Sequence, residues 1–461
     1  MNASVIKFWQ DLQSSYYFIP ALMGLTAIFL AIITSHIDRN LDVANSYYAG
    51  WFHPNSADGA RAILSTIAGS MITVAGVTFS MTMVAVTSTS AQFGPRLIEN
   101  FMRDKANQFT LGTFTSTFIY CLLIMRVTST EDFVNSDAQI EAIVPHLSLL
   151  VALGLTLMSV GVLIYFVHHI PETLNIGKIT ARLGRELRDT IEDLSENDET
   201  ISRREVDMSR FPIQDAIKVK SESEGYVQAF NTEALLKLAT EHNLVIRIQF
   251  RPGDFCIKGN VIVHLWGEHY HLKNKIEQKI KNAFALGGER TIHQNVLFLA
   301  DELVEILARA LSPGVNDPFT AINCMNWFHS ALSYLSKSTL SSPYKFDTDG
   351  DLRLIIFPIS FERFLSVICD QSRPYVATDR NATFHMMTIL TELAAESSDE
   401  NRKERIVRKL KDLHQTAQLY LKSKPDKAEL EERYLKSLEI IKDPDLFNIA
   451  LDGRTWLGGH A

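Results

Sequence analysis

Cysteine is scarce. The 461-residue chain has four, Cys121, Cys256, Cys324 and Cys369, far apart and with no CxxC. That spacing gives neither a zinc motif nor a disulfide framework, and it fits a reducing compartment for the soluble part. An excess of positive charge is also missing. The formal net charge is −8, which removes the case for general nucleic-acid binding. Catalytic signatures are missing as well: there is no GxSxG, no GxxxxGK(S/T), no GxGxxG after a strand and no HExxH. The expectation is therefore no enzyme, no cofactor and no resident metal. The run Glu268 to His271, EHYH, offers two imidazoles at i and i+2, and one HxH without further ligands is read as surface residues at a strand end.

Long apolar runs are abundant, but only before about residue 170. Tyr16 to Ile37 is the first. Lys7 is the only base ahead of it, Asp11 is there too, and no A-x-A-like cleavage site stands out, so it reads as an uncleaved transmembrane helix. Asp38 to Asp58 is a loop whose Tyr47, Tyr48 and Trp51 suit a membrane interface. Arg61 to Arg96 contains the second span, with no charge between the terminal arginines. Phe109 to Met125 is the third span, rich in hydroxyls. Ile143 to Val167 is the fourth, followed by His168, His169 and Pro171. No span carries an acidic residue in its middle, and Arg126 sits at an end. Pumps and proton-coupled carriers need buried ionisable groups, so passive conduction or signalling is left.

The second span organises the chain. Winding it at about 100° per residue puts Ser70, Thr73, Val77, Ser80, Val84 and Thr87 on one stripe, flanked by Thr66, Gly69, Gly76 and Ser88. A lipid-facing helix gains nothing from a hydroxyl seam. One reading is helix packing, because small residues let backbones approach closely and hydroxyls bond across helices or to their own carbonyls. The other is a pore lined by symmetry-related copies, with Thr66, Ser70, Thr73, Val77, Ser80, Val84 and Thr87 along it and the two valines as rings that gate by dewetting.

Loop charge sets the expected orientation. Arg96, Arg103 and Lys105 lie between the second and third spans, and Lys178, Arg182, Arg185 and Arg188 follow the fourth. The link between spans three and four is acidic. Positive-inside places both termini and the large C-terminal region in the cytoplasm. Arg96, Arg103 and Lys105 then stand at the cytoplasmic mouth of a pore lined by the second span, where they raise local anion concentration.

Two stretches carry a resemblance. Thr87 to Leu123 (TSTSAQFGPRLIENFMRDKANQFTLGTFTSTFIYCLL) and Leu311 to Met325 (LSPGVNDPFTAINCM) are similar to the family of predicted bacterial inner-membrane proteins of unknown function numbered twenty-two fifty-four. The likeness runs through about residue 370. It implies four N-terminal spans in a bacterial inner membrane followed by a cytoplasmic region, an arrangement that hydropathy reaches separately. It implies no activity. Physically, Gly94–Pro95 breaks the helix as it leaves the membrane, and Arg96, Asn100, Arg103, Asp104 and Gln108 make a polar link.

Beyond residue 170 the pattern is that of a water-facing protein. Ile176 to Leu194 has amphipathic spacing, and Ser195 to Arg210 is a charged linker. Gly225 to Phe230 is a strand and Thr232 to Glu241 a helix. Leu244 to Phe250 alternates as a half-buried strand, Arg251–Pro252–Gly253–Asp254 is a turn, and Phe255 to Ile257 and Asn260 to Trp266 are strands about Lys258–Gly259. This resembles a lipoyl-like barrel-sandwich, without the Asp and Met that flank a modified lysine. Helices are read over Asn274 to Phe284 and Gln294 to Leu311, with a break at Gly287–Gly288–Glu289–Arg290. Asp317 N-caps the next helix, ahead of Pro318. Its free amides make Asp317 a cap or a possible anion site. A strand over Asp351 to Phe357 and helices over Phe361 to Asp370, Ala382 to Ala395, Arg402 to Lys422 and Glu429 to Ile441 complete the chain.

The expected fold is thus membrane α-helical, with four transmembrane helices, plus a cytoplasmic α+β region holding a small barrel-sandwich-like β element followed by helices. The domains are 1–170 transmembrane, 171–222 connecting helix and linker, 223–267 barrel-like, and 268–461 mainly helical. The expected function is a homo-oligomeric inner-membrane channel or pore with a cytoplasmic vestibule or regulatory domain. The alternative is a membrane-anchored scaffold or sensor whose cytoplasmic half binds a ligand or protein. The expected partners are the lipid bilayer and copies of the same chain.

Overall fold

A computed structural model describes residues 16–40, 57–94, 104–129, 145–196, 206–267, 273–291, 295–338, 342–357, 359–443 and 445–447. The chain divides into two compact units, one reaching from Trp9 to Asn175 and the other carrying everything from Ile176 onward.

The first unit has four helices: α1 (Phe18–Asn40), α2 (Ala57–Phe93), α3 (Lys105–Ser129) and α4 (His146–Thr173). All four are long and apolar enough to cross a membrane. Each covers most of one apolar run of the sequence: α1 starts at Phe18 rather than Tyr16, α2 stops at Phe93, α3 exceeds its run at both ends, and α4 starts at His146 and continues through Pro171. Helix α3 lies in the middle, packed against α1, α2 and α4. Its hydroxyl-rich face is what allows this. Gly112 comes so close to α1 that a Cβ there would stand 2.5 Å from Met23 Sδ. Tyr120, fully buried, shares a 2.9 Å hydrogen bond with the Thr34 hydroxyl and donates to Ser148 O at 3.1 Å. Thr117 and Ser159 share another, 3.1 Å long.

Two charges close helix ends in this unit. The N-terminus of α4 follows Pro145, which offers no side-chain cap. The Asp38 carboxylate, at the far end of α1, takes its place: it accepts from Leu147 N at 2.9 Å, Ser148 N at 3.0 Å and Ser148 Oγ at 2.6 Å. A carboxylate at a helix N-terminus satisfies orphan amides and complements the dipole. Arg61 donates to Thr128 O at 2.8 Å, at the C-terminal end of α3. Both residues mark loop edges in the sequence, and only the fold shows what they bind.

The second unit begins with α5 (Ile176–Glu196). Its Ile179, Leu183, Leu187 and Ile191 recur every four residues and are buried, against α8 (Val296–Ala310) and α9 (Pro318–Lys337). This helix thus packs into the C-terminal core. The β elements are β1 (Ile217–Lys220), β2 (Gly225–Phe230), β3 (Val245–Ile248), β4 (Phe255–Cys256), β5 (Val261–Trp266), β6 (Phe284–Gly287), β7 (Tyr344–Phe346) and β8 (Leu352–Ile355). Helices α6 (Thr232–Glu241) and α7 (Lys273–Asn282) lie between them. One sheet runs β1-β5-β3-β8-β7, the other β4-β2-β6. All pairs are antiparallel except β3 with β8. The barrel-like element expected to end at 267 does not close on itself. Strands β6 and β8 arrive from beyond that boundary and complete both sheets. Gly287 ends a strand where the sequence suggested only a break, because the apolar Phe284 to Leu286 is too short for its period to be read.

The remaining helices are α10 (Phe361–Val376), α11 (Arg380–Glu396), α12 (Glu400–Tyr420) and α13 (Lys424–Lys442). Four of the late helices start on a side-chain cap: Asp317, Ser360, Asp379 and Asp399 each accept from a first-turn amide.

Candidate functional site

Helix α2 presents two unlike faces. Leu64, Ile67, Ala68, Met71, Ala75, Thr78, Thr82, Val86 and Ser90 are buried against the rest of the four-helix unit. The stripe Thr66, Ser70, Thr73, Val77, Ser80, Val84 and Thr87 lies on the other side, and all seven residues are exposed on the single chain. Val77 is 53% and Val84 69% exposed. Nothing stands within 4 Å of where a Cβ would be at Gly69 or Gly76. The stripe is thus not sealed inside one protomer, as packing within the bundle requires. Two hydroxyls are satisfied locally, Thr66 by Ala62 O and Thr73 by Gly69 O, each at 2.8 Å. This i−4 bond is the usual refuge of a hydroxyl in an apolar surrounding.

Beyond the stripe, Gly94 ends α2 with φ +128°, accepting a 3.1 Å hydrogen bond from Ser90 Oγ. Of the expected mouth residues, Lys105 is exposed in the first turn of α3. Arg96 and Arg103 lie outside the described residues. Asp104 binds within the four-helix unit: its carboxylate accepts from Ala106 N at 2.8 Å and meets His169 Nε2 of α4 at 3.1 Å. Tyr165 stacks on that imidazole, ring centres 5.2 Å apart.

Asp317 is fully used as a cap. It accepts from Thr320 N at 3.1 Å and Thr320 Oγ1 at 2.5 Å, so its carboxylate already holds the place an anion would take at that amide. The HxH of residues 268–271 falls outside the described residues, and among the described residues no group of three metal-ligating side chains comes together.

The second unit holds something the sequence did not signal. A cavity of about 420 Å³ opens between α5, the turn at 251–254, the start of α8, and the segments around Lys345 and Phe357. Phe230, Phe357, Phe364, Leu194, Leu297 and Ile356 give it an apolar body. Arg251, Arg290, Lys345 and Arg363 line it as cations, against the carboxylates of Asp193 and Asp254. The turn is fixed by Arg251 N donating to Asp254 Oδ2 at 2.8 Å and Gly253 N donating to Val227 O at 2.7 Å. Gly253 has φ +94°, and a Cβ there would stand 2.1 Å from Asn295 Nδ2. Only glycine permits that approach.

Comparison with known proteins bears on the whole chain. The model of one family, described as "Predicted membrane protein (DUF2254)", matches residues 13–392. This chain belongs to that family. An uncharacterised protein of Mycobacterium bovis is 26% identical over 388 residues, covering 84% of this chain and 73% of the relative. An uncharacterised protein of Mycobacterium tuberculosis shows the same figures. No solved structure matches. The DUF2254 match confirms the likeness read at Thr87 to Leu123 and Leu311 to Met325. It spans all four apolar helices and every residue lining the cavity, and it ends within α11. The protein is a membrane protein with four candidate spans.

Proposed function

We propose that this DUF2254 protein is a homo-oligomeric channel or pore of the bacterial inner membrane. Copies of α2 line it, both termini are cytoplasmic, and the second unit is a vestibule or regulatory domain. One observation carries the reading. The hydroxyl-and-valine stripe points away from its own bundle along the length of α2, while the opposite face is buried. A seam of Ser, Thr and Gly gains little against lipid and much against another copy or water. Val77 and Val84 are then apolar rings, and Lys105 stands at the basic mouth.

The test is reconstitution. Mass photometry in nanodiscs yields a ring of four or more copies, and bilayers conduct. Val77→Ser and Val84→Ser raise the conductance several-fold by wetting the constriction. Cysteines placed at Ser70, Thr73 and Ser80 label periodically with a water-soluble thiol reagent. The four native cysteines are buried and give little background, and burial pushes the Cys256, Cys324 and Cys369 thiols up, Cys369 to about 12. A monomer, silent bilayers and uniform protection of the three positions refute the pore.

The cavity favours a second reading, a membrane-anchored sensor whose C-terminal unit binds a ligand. In that case the four helices only anchor, and ligand binding persists where conduction is absent.

A further inference from the structure

The cavity in the second unit is built like a small-molecule site: an apolar body, convergent charged groups, and a volume within the usual range of about 300–1,000 Å³. Its polar groups tell what the ligand carries. Arg251 contacts the Phe357 ring face, guanidinium carbon 5.9 Å from the ring centre, and has no carboxylate partner among the described residues. Arg363 is exposed on the rim and likewise lacks one. Arg290 is committed to Asp301 at 2.7 Å. Asn295 is the N-cap of the 15-residue helix α8, yet its side chain makes no capping bond. It lines the cavity at 2% exposure, and its Nδ2 has no hydrogen-bond partner. A buried amide donor left unmatched costs about 1–3 kcal/mol. The first-turn amides and the positive end of the α8 dipole stand beside it, a setting suited to an anion.

We infer that this cavity binds a phosphate monoester with an apolar or planar body. Its phosphoryl group meets Arg251, Arg363, Asn295 and the start of α8, and its body lies along Phe230 and Phe364. Arg290 is neutralised by Asp301, so the groups that select the ligand are the two guanidinium forks of Arg251 and Arg363, whose many N–H donors match the three acceptor oxygens of a phosphate monoester better than the two of a carboxylate. Gly253 is needed because any side chain there would displace Asn295. The inference deepens the sensor reading and rests on it only in placing a ligand in the second unit. Silent bilayers leave it standing, and an empty cavity leaves the pore standing.

The test uses the full chain in nanodiscs with trinitrophenyl-AMP as fluorescent probe. Saturable binding is expected, displaced by AMP and not by adenosine. Arg251→Gln and Arg363→Gln each weaken the probe about tenfold or more, the loss of one charge-assisted hydrogen bond. Lys258→Gln, an exposed cation outside the cavity, changes nothing. Thermal unfolding confirms that the variants fold, and both arginines are surface-accessible enough to remove singly. Stronger displacement by dihexanoyl phosphatidic acid than by AMP also supports the site and assigns the monoester to a lipid. Absence of saturable binding, equal competition by adenosine, or indifference to both arginine substitutions overturns the proposal.

Discussion

Helical hydroxyls fold back on their own carbonyls in both units, as Thr240, Thr388 and Thr391 do in the second, but the units hold their charges differently. In the four-helix unit hydroxyls fold back on their own helix. Thr78, Thr82, Thr110, Thr113, Thr117, Thr128 and Thr156 each donate to the carbonyl four residues earlier. Its two cap-forming charges, Asp38 and Arg61, sit at helix ends. In the second unit charges meet charges: Arg353 with Asp347 at 2.6 Å, Lys409 with Asp370 at 2.7 Å, Lys337 with Glu396 at 2.8 Å. The first pattern is what a chain needs when the solvent is hydrocarbon and each backbone and side-chain donor must be satisfied from within. The second pairs ions with one another, and where a pair is exposed, as at Lys337–Glu396, water shares the cost of holding it. The difference also makes exceptions visible. An exposed hydroxyl stripe is out of place in the first unit, and Arg251, Arg363 and Asn295 are out of place in the second.

The strongest way to break this comparison is to remove the same kind of cap from each unit. Asp38→Ala leaves two amides and a hydroxyl of α4 without their buried acceptor. We expect a loss of about 2–3 kcal/mol, read from thermal or detergent unfolding of the four-helix unit. Asp317→Ala removes the α9 cap in the water-facing unit, and about 1 kcal/mol is expected in the same assay. Equal losses would end the distinction between the two settings.

Titration sharpens it further. Burial, and then Glu396 nearby, push Glu392 up to about 7, with His329 Nε2 at 3.5 Å. Burial lowers the pKa of His329 itself, so that imidazole is a weak counter-charge at neutral pH. A carboxyl whose folded pKa is raised contributes stability below its unfolded value, and that contribution is lost as pH rises through the folded one. The second unit should therefore weaken between about pH 4.3 and 7. Glu392→Gln should be more stable than the parent by about 3 kcal/mol at pH 8 and no different at pH 4. Denaturant midpoints at the two pH values decide it. The smallest effect is expected at Thr82→Val on α2. It gives up a 2.7 Å bond to Thr78 O that the helix does not need, for a change within about 0.5 kcal/mol.

Much of this was legible in the residues. Gly225–Phe230 and Thr232–Glu241 form the expected strand and helix to the residue. The strand comes from β-rich composition, and the helix from the Asn231 cap followed by a regular apolar period. The four spans follow from hydropathy alone. Other features were not legible. β1 and β7 are strands of four and three residues that lie in lysine-bearing stretches with little apolar signal. The parallel pairing of β3 with β8 joins residues about a hundred apart. The partners of Asp38 are 109 and 110 positions away. Asp317 was seen as a cap because its partner is three residues on, and the cavity was not seen because its walls come from six separate segments, each ordinary in isolation.

What the sequence determines by itself is therefore local and periodic: which stretches are apolar enough to span a bilayer, where helices start, and that α2 has a polar stripe. Those follow from side-chain transfer energies and from hydrogen bonds to the nearest backbone. What only the tertiary structure decides is direction. Packing α2 against α3 turned its leucine and alanine face inward and left the stripe outside. Bringing the 251–254 turn against Asn295 left two arginines and an amide facing one space without partners. Periodicity specifies that a helix has two faces, and only burial of one of them against the rest of the chain specifies which face remains to meet something else.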